Sequence, residues 1–184
     1  MTPEQINKAA VDLFQAEKTQ KQINLLTADY PDMQMDNAYA VQKALVDLKT
    51  LGGCKITGWK IGLTSKAMQN ALNINIPDSG ILFDEMHFED NSFVPKGRFI
   101  QPRIEAEIAF VMKDDLNGAA SREQVLAATS HVCPSLEILD TRILREDPIT
   151  KKTRTVFDTI SDNAANAGIA VSYTHLRAHE TKPN

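Results

Sequence analysis

Glu105 and Glu107 lie two residues apart in a run, Ile104 to Met112, that alternates apolar with other side chains. On a strand this spacing sends both carboxylates from one face, with Cα atoms about 6.5 Å apart, so the pair can converge on a single cation. Flexible carboxylate oxygens suit a hard ion such as Mg²⁺, which keeps positions open for water or substrate. Glu137, in a second run from Pro134 to Asp140, is a third oxygen donor of the same kind. Alternating glutamates also describe the solvated face of an ordinary strand, and spacing alone does not choose between the two.

Lys60 presents a similar choice. In Lys55 to Leu63 the residues Trp59, Ile61 and Leu63 alternate with Gly58, Lys60 and Gly62, which places Lys60 on a strand face stripped of bulk by two glycines. Such glycines admit a ligand to the backbone or mark a bulge. Asp78, before Ser79-Gly80, reads as a turn residue, and Trp59 and Cys133 read as core. His175 and His179 are four apart but have no acidic partner pattern, so they are not taken as a metal site.

The elements that must position these groups follow from period and capping. Ile6, Ala9, Ala10, Leu13 and Phe14 recur at helical spacing behind Thr2-Pro3, a capping residue followed by proline at the first helical position. A second helix is expected from a cap at Asp36, with the stripe Ala38, Val41, Leu45 and Leu48, and ends at Gly52-Gly53. Asp78-Ser79-Gly80 is expected to turn into the run Ile81-Leu82-Phe83. Another apolar run leads from Phe99-Ile100 to Ile104. Ser121 and Gln124 form a capping box for a helix ending near His131, and the strand Pro134 to Asp140 follows. A charged segment, Arg145 to Arg154, precedes Val156 to Gly168.

The 184 residues, 42% hydrophobic, suffice for one domain. No apolar stretch is long enough to span a membrane and no secretory leader is evident, so a soluble, cytoplasmic chain is expected. Cys54 and Cys133 fit neither a disulfide framework nor a zinc site. The 20 basic and 24 acidic residues are interspersed, which gives no basic stripe for nucleic acid.

Gly58-Trp59-Lys60-Ile61-Gly62-Leu63-Thr64-Ser65-Lys66-Ala67-Met68-Gln69, Pro77-Asp78 with Gly80, Pro102-Arg103-Ile104-Glu105-Ala106-Glu107, Leu136-Glu137 and Phe157 to Gly168 occur in an order and spacing that resembles the 2-hydroxy-dienoate hydratases and 4-oxalocrotonate decarboxylases of the fumarylacetoacetate hydrolase superfamily. Asp147-Pro148 to Arg154 and the run from Phe157 are similar to the subgroup of 4-hydroxyphenylacetate degradation. The resemblance implies a mixed α/β, β-rich fold with N-terminal helices, here lacking the C-terminal strands. It implies that Glu105, Glu107 and Glu137 hold Mg²⁺, or Mn²⁺ in its place, with Lys60 and Asp78 catalytic and Thr64, Arg103 and Asn163 near the substrate. The implied substrate is a small 2-hydroxy-dienoate, in this subgroup a seven-carbon dicarboxylate, and the implied assembly is a homo-oligomer.

The resemblance runs from the first helix to about Val171. The expected organisation is therefore a hydratase-like part, 1–171, and a non-native tail, 172–184. Three readings stand open: a hydratase, a decarboxylase of the same family, and a shortened chain that keeps the metal-site residues without a closed pocket. A second carboxylate on the substrate would call for a cation, and Lys151, Lys152 and Arg154 of the charged segment are placed to supply one.

Overall fold

The computed structural model describes residues 1–71 and 74–172. Helix α1 (Pro3–Thr19) opens as its caps require: Gln5 N donates to Thr2 Oγ1 at 3.3 Å and Thr2 N donates to Gln5 Oε1 at 2.8 Å. A short α2 (Leu26–Asp29) leads to α3 (Met35–Leu51). The cap of α3 is Gln34 rather than the expected Asp36, because Asn37 reaches back to Gln34 N and leaves Asp36 inside the first turn. Helices α1 and α3 bury Ala9, Ala10, Leu13, Ala38, Val41 and Leu45 against Leu25, Met33, Ile143 and Ile160. This is the larger core, and the spacing of its helical residues is the one the amphipathic stripes predict.

Strands β1 (Ile56–Gly62) and β2 (Asp78–Phe83) pair antiparallel, with α4 (Lys66–Ala71) between them in sequence. Asp78, Ser79 and Gly80 are therefore strand residues and not the expected turn. Gly80 pairs with Lys60, and its bare Cα is what permits the approach, since a Cβ there would lie 2.5 Å from the carbonyl oxygen of Asn163. Phe83 and Leu82 join Val46 and Met86 in a second core that ties this pair to α3.

The larger sheet has the order β3-β6-β5-β4, built from β3 (His87–Phe88), β4 (Arg103–Met112), β5 (Thr129–Leu139) and β6 (Asn166–Val171). β3 pairs parallel with β6, and β4, β5 and β6 pair antiparallel. Helix α5 (Arg122–Ala128) ends three residues short of His131, because β5 begins at Thr129 to extend its pairing with β4. Helix α6 (Val156–Ser161) runs through a 3-10 turn at Asn163–Ala165 into β6. Buried Asp158 accepts hydrogen bonds from the backbone N–H and hydroxyl of both Thr27 and Thr155, which fixes α6 against α2.

One expectation about faces is corrected. Trp59 and Ile61 are exposed, while Lys60 points inward: alternation separates the two sets, but the glycine-flanked face is the one the larger sheet covers. Trp59 is thus no core residue, whereas Cys133 is buried. The apolar face of β4, with Ile104, Ile108, Phe110 and Met112, is exposed throughout. No helix among the described residues is long and apolar enough to cross a membrane. Of the expected tail, Ser172 donates its N–H to Pro134 O, and 173–184, with His175 and His179, lie outside the described residues.

Candidate active site

The β4–β5 register places Glu105 directly opposite Glu137, and Glu107 opposite Ser135. Directly paired residues leave the same face, so three carboxylates from two strands share one surface. Their oxygens come within 4.8 Å of one another. Glu137 is buried while Glu105 and Glu107 are exposed. Burial holds the Glu137 carboxyl above its usual range, opposed by the charge of Lys60 and reinforced by Glu105 and Glu107.

Lys60 enters from β1, its Nζ 3.5 Å from Glu137 Oε1, an ion-pair contact too poorly directed to satisfy that oxygen by a hydrogen bond. Asp78 stands opposite Gly62 across the β1–β2 ladder. Its buried Oδ1 also has no hydrogen-bond partner, and burial raises its pKa against the pull of Lys60. Gly62 makes the arrangement possible, since a Cβ there would overlap Asp78 Oδ1 and crowd Lys60 Nζ.

These residues line a cleft of about 340 Å³ that also takes in Thr64, Leu139, Arg154, Val156, Ala164 and Ala165. Thr64 therefore borders the cleft that the carboxylates share. Arg103 shares the face of Glu105 at the end of β4. Asn163 sits under the cleft instead of in it: its amide oxygen accepts from Ile81 N at 2.7 Å and its amide nitrogen donates to Ile81 O at 2.9 Å, which leaves little of the side chain for a substrate. Asn163 acts on the backbone of β2.

One feature of the cleft floor had no sequence signal. Asn163, Ala164 and Ala165 all have left-handed backbone, with φ of 52°, 53° and 60°, a conformation costing non-glycine residues roughly 1–2 kcal/mol each. Buried Arg142 holds the turn from below, donating to Asp162 Oδ1, to the Asp162 carbonyl at 2.7 Å and to the Asn166 carbonyl at 3.4 Å. Asp140 N donates to Ala165 O from the side. Asparagine tolerates left-handed backbone, but the two alanines after it give no warning of such a turn, which the surrounding hydrogen bonds impose.

Three clustered carboxylates with one nearby lysine and an unsatisfied buried oxygen on Glu137, on one open cleft, fit a hard divalent cation. Glu105, Glu107 and Glu137 are the residues that would hold such an ion. A mixed α/β scaffold thus presents three carboxylates, a lysine and a buried aspartate to one cleft from strand faces.

Comparison with known proteins agrees. The chain is 48% identical over 169 residues to a 2-oxo-hept-4-ene-1,7-dioate hydratase of Escherichia coli, covering 91% of this chain and 63% of that one. It is 37% identical over 162 residues to a 2-hydroxypent-2,4-dienoate hydratase of Pseudomonas putida, covering 87% of this chain and 70% of that one. Its fold matches a 4-oxalocrotonate decarboxylase from Pseudomonas putida G7, complexed with magnesium and adipate, with a TM-score of 0.84 at 31% identity over 94% of this chain and 64% of that one. No family model matches. The chain belongs to the family of 2-hydroxy-dienoate hydratases and 4-oxalocrotonate decarboxylases, and it spans somewhat under two thirds of the length of the first of these relatives.

Proposed function

We propose that this protein adds water to a seven-carbon 2-hydroxy-diene dicarboxylate, with Glu105, Glu107 and Glu137 holding Mg²⁺ or Mn²⁺ and with Lys60 and Asp78 as the proton-moving groups. The observation that carries the reading is the convergence of the three carboxylates to within 4.8 Å, opposite a lysine and a buried aspartate. Support for a dicarboxylate comes from the Escherichia coli relative, a dioate hydratase, and from the adipate and magnesium of the similar decarboxylase.

When bound, the cation supplies a Lewis acid for the carboxylate and 2-oxygen of the substrate. The protein's own groups must take the 2-hydroxyl proton and deliver one to C5, then take one from the water that adds at C4 and return one to C3. Asp78, whose burial favours the protonated form, and Lys60 beside it are the two groups in the cleft able to do so. Leu139, Val156, Ala164 and Ala165 give the cleft an apolar side against which the carbon chain of the substrate would pack.

A decarboxylase reading draws on the solved structures the fold matches. The experiment that separates them incubates the protein with Mg²⁺ and each substrate: hydration consumes the dienoate chromophore without gas, whereas decarboxylation of 4-oxalocrotonate releases CO₂. Absence of both activities, or activity indifferent to chelation of the metal, overturns the proposal. A cytoplasmic homo-oligomer completes it, supported by the two free cysteines and by the family resemblance.

A further inference from the structure

The cleft is lined by the carboxylates of β4 and β5 and also by a guanidinium, that of Arg154. Along β4 the face that carries Glu107 and Glu105 continues to Arg103, two residues and about 6.6 Å further on, opposite Leu139, which lines the cleft. Arg154 lines the same cleft from the segment before α6. It is half-buried, and its Nη1 donates to Ile143 O at 3.0 Å, which anchors one edge of the guanidinium. Its backbone N–H donates to Arg145 O at 2.9 Å, which brings a third guanidinium nearby.

Among the described residues, none of Arg103, Arg145 or Arg154 has a carboxylate within ion-pair distance. Burial pushes the Arg154 pKa down; the charges of Asp162 and Asp158 oppose this, and the weaker repulsion of Arg103 and Arg145 adds to it. A half-buried cation beside like charges gains most from an anion that can accept two parallel hydrogen bonds.

We propose that Arg154 and Arg103 form an anion subsite at the end of the cleft away from Glu107, and that it takes the distal carboxylate of a dicarboxylate whose other end lies at Glu105, Glu107 and Glu137. The inference rests on the metal-site reading for the position of the first carboxylate. It narrows the sequence expectation, because Lys151 and Lys152 do not line the cleft. Lys151 instead pairs with Glu146 at 3.4 Å with its side chain 70% exposed.

The test is calorimetric binding of heptanedioate and heptanoate, in the presence of Mg²⁺, to the wild-type chain and to Arg154→Gln, Arg103→Gln and Lys151→Ala. Wild type is expected to bind the diacid roughly tenfold or more tightly than the monoacid. That ratio falls toward one in both arginine variants and is unchanged in Lys151→Ala. Arg103 is exposed, so its variant reports on the subsite even if Arg154→Gln is destabilised. A ratio near one in wild type, or a wild-type ratio in Arg103→Gln and in folded Arg154→Gln, overturns the subsite. Failure of the metal reading shows separately, as a melting temperature that Mg²⁺ does not raise while the diacid preference persists.

Discussion

Glu105 and Glu137 face each other across the β4–β5 ladder on the side that also receives Lys60, so one buried and one exposed carboxylate meet under a single ammonium group.

Glu107→Gln removes one anionic oxygen donor while keeping the shape of the side chain. Mg²⁺ should raise the melting temperature of wild type, by the equivalent of about 2.7 kcal/mol at a hundredfold excess over Kd. The variant should show little or no rise, and its Mg²⁺-dependent turnover should disappear. Equal stabilisation of both proteins in a thermal-shift titration would remove Glu107 from the ligand set.

Lys60→Ala should lower kcat by roughly a hundredfold or more, the usual scale for a proton-transfer group. Its melting temperature should fall as well, because the side chain is 14% exposed and its charge faces buried Glu137, so turnover is compared per folded molecule. A variant that unfolds early but whose folded fraction turns over normally would show Lys60 to be structural.

Gly62→Ala tests the close approach of β1 to Asp78. The added methyl would overlap Asp78 Oδ1 and crowd Lys60 Nζ, so both must shift. Activity should drop at least tenfold, as misplacement of catalytic groups by a fraction of an ångström predicts. Gly58→Ala is the control, since its Cβ would meet only Leu82 Cδ1 at an ordinary 3.6 Å. Equal effects from the two changes would point to strand strain in place of site geometry.

Asp147 should give the fold an acid-sensitive contribution. The backbone N–H of Thr150, then the Asn24 amide and Ile149 N, hold its carboxyl down to about 2 from an ordinary 3.8. A depressed folded-state pKa means the stabilisation is complete above pH 4 and is lost as the pH falls toward 2. Asp147→Asn should therefore melt below wild type at pH 7, and the gap should close by about pH 2. A gap of constant size across that range would refute an ionic origin.

Local period and capping determined much of this protein. The stripes of α1 and α3, the capping boxes at Thr2–Gln5 and Ser121–Gln124, and the shared face of Glu105 and Glu107 all follow from residues within four positions of each other. Such patterns state which side chains share a face. They do not state which neighbour covers it, and so Lys60 proved to be the inward residue of β1 and Trp59 the outward one. Only the β4–β5 register set Glu137 against Glu105, thirty-two residues earlier in the chain. The left-handed turn at Asn163–Ala165 and the choice of Arg154 over Lys151 at the cleft were decided further still from local sequence. Arg142, Asp140 and Ile81 impose the first by hydrogen bonds from distant elements, and the bend of the chain before α6 imposes the second.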